Sequence, residues 1–489
     1  MGGVVNINSN PGLGSLSQYA PKACMNLAAK PTSGAIRLKW EDPEDYTTTD
    51  NYLVEWAYTR IVRKTGSYPV DENDGTVVVT SSTKNQYKNI AYTDSGLTNY
   101  TKYYYRAFSC STDDVFNHEQ VQVESTPIPW KVMTVNIDLN NSNPVTCGSY
   151  ADDAINMESG KTESAITKWK EFFKYKPCLF KDGKVIGYLN PNDYTKFEDG
   201  SSADIMTGNA GDVMIEFPRR GLRISKTNKI LTVSMTDNPD DSDFKYYAHQ
   251  RGTKQKDYFY LGAYLASTNN TNKVRSLSGT TVESDITFDT FVKYAKNNGT
   301  NYGIICFYQW VYIQAMYLLQ FGGHLNSQAE MGSGPFGYHE KTGTLNTAGL
   351  FGIDESAVKI FGVEDVWSNY TQALNNAYTP SGYLKTTTDD TITSTSKYDI
   401  DAGYFGKSST PSSKFITDCY GTSEGGFVGI YSGYNGSSST YFCDKNQFAM
   451  DAYPLVGGYG YLGDSRGIFY FVSIVRGTYT TFSTRLQYL

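Results

Sequence analysis

The chain has 489 residues, with 15% aromatic residues, only 19% charged residues and a formal net charge of −7 from 43 basic and 50 acidic side chains. An aromatic content this high excludes disorder as the main state, and an acidic balance with no Lys/Arg run excludes the electrostatic footprint of a nucleic-acid binder. The polar surface comes instead from 45 Gly, 41 Tyr and abundant Ser, Thr and Asn, residues of pleated surfaces and turns, so a mainly β protein of two to four domains is expected.

Residues 1–20 are rich in Gly, Asn and Ser and read as an assembly arm ordered by a partner. The opening MGGVVNINSN has neither the basic nor the apolar region of a signal peptide. Residues 21–128 alternate apolar and polar positions in short runs. These are Ala35 to Trp40, Tyr52 to Lys64, Val77 to Val79 and Tyr103 to Phe108, separated by turn signals such as Glu41-Asp42-Pro43 and Gly66-Ser67-Tyr68-Pro69. That spacing predicts a β-sandwich. Trp40 ahead of Asp-Pro, and Leu97 leading into Thr101-Lys102-Tyr103-Tyr104-Tyr105, resemble a fibronectin type III domain, a module that serves as a spacer or adhesion unit.

Thr126-Pro127-Ile128-Pro129-Trp130 reads as a stiff junction, and residues 129–210 as a connecting region. Within it, Val132 to Leu139 alternates as a strand and Ser164 to Phe173 has a helical pattern. Lys181-Asp182-Gly183-Lys184 signals a hairpin. Residues 211–489 form the largest unit. Strands are expected at Asp212 to Pro218 and Tyr258 to Tyr264, and a helix at Asp285 to Lys296. Tyr302 to Phe321 is twenty residues without a charge, long enough to cross a bilayer. Its three glutamines and missing basic flank favour a buried helix and no membrane insertion. A Gly/Ser/Thr-rich stretch near 380–411 reads as an inserted loop.

Several segments of this last unit occur in a recognisable order. They are Gly211 to Pro218 (GDVMIEFP), Phe259 to Ala266 (FYLGAYLA), the two helices, Leu325-Asn326-Ser327-Gln328 with Gly332, Gly334 and Gly337, and Gly362-Val363-Glu364-Asp365-Val366-Trp367-Ser368-Asn369. Gly457-Gly458-Tyr459, Gly463, Gly467-Ile468-Phe469-Tyr470-Phe471 and Thr484-Arg485-Leu486 close the series. The order resembles the C-type lectin fold of phage tail proteins. This is the branch related to formylglycine-generating enzyme and to the variable proteins of diversity-generating retroelements, the phage major tropism determinant among them. The family motif usually carries Gly after its Trp; here Ser368 stands in that place. The resemblance implies an Ig-like sandwich followed by an α+β C-type lectin domain over 211–489. It implies a receptor-binding protein of the virion, at a phage tail or fibre, that acts at the host cell surface. The protein would be a homo-oligomer, often a trimer, with other tail proteins on its N-terminus and a glycan or protein of a bacterial surface as its ligand. No cofactor or catalysis is implied. A glycan-cleaving or cysteine-dependent enzyme on the same fold, or a purely structural baseplate or fibre component, is the alternative.

The residues give a separate indication. Residues 420–489 hold ten Tyr, twelve Gly and eight Ser in seventy positions, the composition of an antibody paratope, where Tyr supplies contact area with few torsions to freeze. Gly457-Gly458-Tyr459-Gly460-Tyr461 is too glycine-rich for a regular strand and reads as a loop exposing two rings. Ile468, Phe469, Phe471 and Leu486 match the family frame and are assigned to the core. Tyr453, Tyr459, Tyr461, Asp464, Ser465, Arg466, Ser473, Val475, Arg476 and Tyr479 fall at non-framework positions and are the candidate receptor contacts. Diversification by a retroelement would be written in the gene, not in the protein.

Other constellations read as structural. Seven cysteines without a CxxC point to reduced, buried thiols. The four histidines (118, 249, 324, 339) are scattered. Asp237 to Asp243 is acidic enough for Ca²⁺ but lacks EF-hand spacing. Glu364-Asp365 read as hydrogen-bonding groups of the family motif rather than catalytic carboxylates.

Overall fold

The computed structural model describes residues 17–268, 271–338, 341–389, 395–405, 413–422, 426–430, 436–475 and 482–489. The chain is mainly β and divides into two compact units, Met1–Trp130 and Lys131–Leu489.

In the first unit, the runs with period-two alternation become antiparallel strands. Met25–Thr32, Ala35–Glu41 and Tyr92–Ser95 form one sheet, and Thr76–Ser81, Trp56–Thr65, Tyr103–Ser111 and Gln122–Ser125 form another in that order. Ile36, Leu38 and Trp40 point inward from the first sheet, against Ile61, Tyr103, Tyr105 and Ala107 of the second. The buried Trp40 donates its indole N–H to Asp42 Oδ1 at 2.9 Å, and Thr59 Oγ1 donates to the same oxygen at 2.7 Å. The Tyr103 hydroxyl accepts from the Thr98 backbone N–H at 3.1 Å. The ring thereby fastens the entry of its own strand, as the tyrosine corner of Greek-key sandwiches does.

The second compact unit begins at Lys131, so the segments of 131–210 pair within it. Val132–Asp138 lies between Gly148–Asp152 and Ile230–Thr236, and Gly221–Thr227 completes that four-stranded sheet. Lys176–Lys181 pairs with Asp212–Pro218. It belongs to a seven-stranded sheet in the order Asp193–Phe197, Lys184–Asn190, Lys176–Lys181, Asp212–Pro218, Tyr258–Gly262, Leu486–Tyr488, Tyr302–Ile304. The expected hairpin forms, with Asp182 and Gly183 both at positive φ (50° and 78°), as a two-residue primed turn requires. A six-stranded sheet contains Phe471–Val475, Ala452–Val456 and Thr371–Ala373.

The uncharged stretch after Tyr302 splits into a strand, Tyr302–Ile304, and a helix, Phe307–Gln320, whose every residue is buried. Its glutamines serve as cross-links. Gln309 Oε1 caps the Cys306 N–H at 3.0 Å, Gln314 Nε2 donates to the Ile468 carbonyl at 2.8 Å, and Gln320 Nε2 donates to the Gly160 carbonyl at 3.1 Å. Fourteen residues span about 21 Å. Among the described residues no helix is long and apolar enough to cross a membrane.

The Glu163–Phe173 helix begins at Thr162, whose Oγ1 accepts from Ala165 N. The Phe288–Lys296 helix begins at Thr287 in the same way, three residues later than expected. All seven cysteines are free and buried. His249 is buried between Phe259 and Tyr312, and burial lowers its pKa to about 3, so the ring is neutral. Asp237, Asn238 and Asp241 direct their side-chain oxygens at backbone N–H groups of Lys131, Asp240 and Asp243, the work of a turn. His339 and most of the 1–20 arm lie outside the described residues, as does part of the 380–411 stretch.

Candidate binding surface

Two short segments share one pattern, aromatic-Gly-aromatic: Phe336-Gly337-Tyr338 and Tyr459-Gly460-Tyr461. The second follows the strand Ala452–Val456 through Gly457 and Gly458, both at positive φ. The two triplets meet at their central glycines, where Gly337 N donates to the Gly460 carbonyl at 3.0 Å. A Cβ on Gly460 would overlap the Gly337 carbonyl oxygen, so this crossing needs glycine there.

Crossing at the glycines spreads the flanking rings over one surface. Tyr338 stands nearly parallel to Tyr459 (6.1 Å, 16°) and to Tyr370 (4.7 Å, 28°). Tyr461 meets Tyr338 edge-on at 5.5 Å and Phe336 edge-on at 5.7 Å. Phe336 is 81% exposed, Tyr461 59% and Tyr338 36%, while Tyr459 is half-buried and Tyr370 buried. Five rings therefore form a stepped platform with three faces open to solvent. Each ring pair contributes roughly 0.5–1.5 kcal/mol beyond area burial. Desolvation and the neighbouring phenols raise the pKa of Tyr338, so its hydroxyl remains a neutral donor and acceptor.

Beneath the rings lies Arg466, 1% exposed. Its Nη1 donates to the Tyr459 carbonyl and its Nη2 to the Pro335 carbonyl, both at 2.7 Å. One guanidinium thus pins both ring-bearing segments. Ser465 Oγ donates to the Leu462 carbonyl at 2.9 Å. Asp444, buried with its pKa raised to about 7 by desolvation, accepts from Phe469 N and Gln328 Nε2 and braces the turn that follows Arg466.

The segment 362–369 supports the platform from below. Trp367 Nε1 donates to the Gly332 carbonyl at 3.1 Å, Ser368 N to the Gly457 carbonyl at 3.0 Å, and Gly460 N to the Asn369 carbonyl at 3.2 Å. Glu364 accepts from the backbone N–H groups of Gly343, Thr344 and Leu345. Asp365 takes Asn369 Nδ2 at 3.1 Å. Burial raises the pKa of both carboxyls, and both are enclosed, so they act as hydrogen-bonding groups rather than solvent-facing acids.

Ser368 sits at φ 79° with its buried hydroxyl unpartnered. A left-handed residue other than Gly costs about 1–2 kcal/mol, and an unsatisfied buried hydroxyl about 1–3 kcal/mol. Against this, Gly raises the entropy of the unfolded chain by about 0.4–1 kcal/mol. Ser368→Gly is therefore expected to stabilise the Lys131–Leu489 unit by about 1 kcal/mol, read as a higher urea midpoint. An unchanged or lower midpoint would show that the backbone here is not strained.

Of the ten candidate contacts, the structure brings Tyr459 and Tyr461 to the platform. Four others have buried side chains that face inward. Tyr453 stacks on Phe288 at 4.6 Å, and Ser473 Oγ bridges the N–H and carbonyl of Ala449. Ser465 and Arg466 are the buried supports described above. Asp464 lies in the short Gly463–Ser465 turn, and Val475 ends the strand Phe471–Val475. Arg476 and Tyr479 lie outside the described residues. The residues that sequence reading missed are Phe336, Tyr338 and Tyr370, although Phe336-Gly337-Tyr338 repeats the triplet that singled out Tyr459 and Tyr461. No protein-family model matches the chain, and the comparison with curated proteins gives no match.

Proposed function

We propose that the protein is a non-enzymatic receptor-binding component of a phage tail or fibre, recognising a bacterial surface ligand through the ring platform of Phe336, Tyr338, Tyr459 and Tyr461. The observation that carries this is the platform itself. Three exposed aromatic faces are held in fixed orientation by a buried arginine and a glycine crossing. Pre-ordered tyrosines reduce the entropic cost of binding and are the residues that most often dominate an interface. The C-type lectin reading of 211–489 draws support from Ser368, whose positive φ falls where the family carries Gly. It also draws support from Ile468, Phe469, Phe471 and Leu486, all buried. In this reading the Met1–Trp130 unit is a fibronectin-like spacer, the N-terminus attaches to other tail proteins, and the protein works as a homo-oligomer on the virion.

The test is binding of the purified protein to a panel of bacterial cells. Tyr459→Ala combined with Tyr461→Ala should weaken binding at least about 100-fold, since each hot-spot ring contributes about 2 kcal/mol or more. The melting temperature should fall by only a few degrees. Unchanged binding by the folded variant would remove the platform from the receptor site.

A further inference from the structure

One cavity lies far from these rings in sequence and differs from them in character. It is an open groove of about 800 Å³ between the Glu163–Phe173 helix and residues 348–351. Ile166, Pro191, Leu350 and Phe351 give it an apolar floor, and Lys161, Lys170, Lys174 and Lys176 rim it. Two carboxylates, Glu163 and Glu171, also line it, so the groove carries net charge +2 on a chain whose net charge is −7.

Among the described residues, none of the four ammonium groups is in an ion pair. Lys161 Nζ donates to the Glu330 carbonyl, a neutral acceptor, and Lys176 Nζ lies 4.7 Å over the Tyr188 ring. Lys170 and Lys174 make no ion pair among the described residues. Partial burial lowers the pKa of Lys170, and Lys176 adds to the effect, while Glu198 opposes it. An ammonium held in this way, with unmatched positive charge beside it, gains from an incoming anion.

We propose that this groove binds an acidic oligosaccharide, with Lys170 and Lys174 taking its anionic groups and the floor of Ile166, Pro191 and Phe351 taking the CH face of a sugar ring. The volume lies in the range of ligand sites, about 300–1,000 Å³. The chemistry also favours a chain of spaced charges over one tightly held phosphate. Lysines act as separate point charges, and the groove has no arginine to grip a phosphate bidentately. Apolar lining beside cations suits a pyranose with an acidic substituent. The substituent can be a carboxylate, as in uronates, or a phosphate, as in phosphorylated glycans, and the assay separates the two. The groove shares no residue with the ring platform, so the inference does not rest on the receptor reading.

The experiment is calorimetric titration of the full-length protein with a galacturonic acid oligomer, a phosphorylated maltooligosaccharide and a neutral maltooligosaccharide, at low and moderate salt. At least one acidic probe should bind, more weakly as salt rises, and the neutral one should not. Lys170→Gln with Lys174→Gln should weaken acidic binding about fivefold or more, with circular dichroism and melting temperature close to wild type. Tyr459→Ala with Tyr461→Ala should leave acidic binding unchanged. The tighter acidic probe identifies the substituent. The proposal is overturned if neither acidic probe binds at low salt, or if the folded lysine variant binds as tightly as wild type. It is also overturned if the neutral probe binds as well as the acidic ones.

Discussion

Arg485→Ala is expected to destabilise the Lys131–Leu489 unit by about 3–5 kcal/mol, the cost of removing one member of a buried, fully engaged polar cluster. Arg485 is 1% exposed. Its Nε donates to Gln372 Oε1 at 2.7 Å, its Nη1 to the carbonyls of Gly262 and Ala263, and its Nη2 to the carbonyls of Glu364 and Asp365. Burial lowers its pKa to about 10, still charged at neutral pH. Without the guanidinium, four buried carbonyls lose a donor, and the raised carboxyl of Asp365 loses a positive charge that favours its ionised form. Arg485→Lys should recover little, because one ammonium cannot reproduce a planar fork serving five acceptors. The urea midpoint of the second unit reads the effect. A midpoint shift equivalent to less than about 1 kcal/mol for Arg485→Ala would mean that water or neighbouring donors replace the fork.

Arg485 also shows why the larger unit was partly legible in sequence. Three of the segments whose order carries the lectin resemblance, Phe259 to Ala266, Gly362 to Asn369 and Thr484 to Leu486, meet at its guanidinium. Local features were legible for local reasons: the primed turn at Asp182-Gly183 and the alternation of Ala35 to Trp40 are set by neighbouring residues alone. The strand at Val132–Asp138 was visible as a strand, but its partner Ile230–Thr236 lies about a hundred positions away. Nothing in residues 129–210 themselves shows that pairing, so they looked like a connector. The same limit hid three of the five rings of the platform. Tyr370 lies about ninety positions, and Phe336 and Tyr338 more than a hundred, before the triplet Tyr459-Gly460-Tyr461. Ser473 and Arg466 misled in the opposite sense. Polar side chains in a Tyr/Gly/Ser-rich segment suggest a surface, yet each is hydrogen-bonded inside to backbone groups that only the fold brings to it.

That inward placement of Arg466 yields a second large effect. Arg466→Met keeps the aliphatic stem and removes both carbonyl bonds, leaving the Tyr459 and Pro335 carbonyls without their charged donor. Hydrogen bonds to a charged group contribute about 1.5–3 kcal/mol each, so the variant is expected to lose about 3 kcal/mol of stability while the Arg485 cluster keeps the unit folded. Cell binding should fall about as far as in the double tyrosine variant, roughly 100-fold, although Arg466 itself is too buried to touch a ligand. Arg466→Lys can reach one carbonyl but not both and should fall between. Stability and binding are read separately, by urea midpoint and by cell binding of protein that retains its native near-ultraviolet circular dichroism. If folded Arg466→Met binds as wild type, the glycine crossing alone fixes the rings and the arginine serves stability only. If it loses binding as the tyrosine variant does, the orientation of the rings, and not merely their presence, is what the receptor reads.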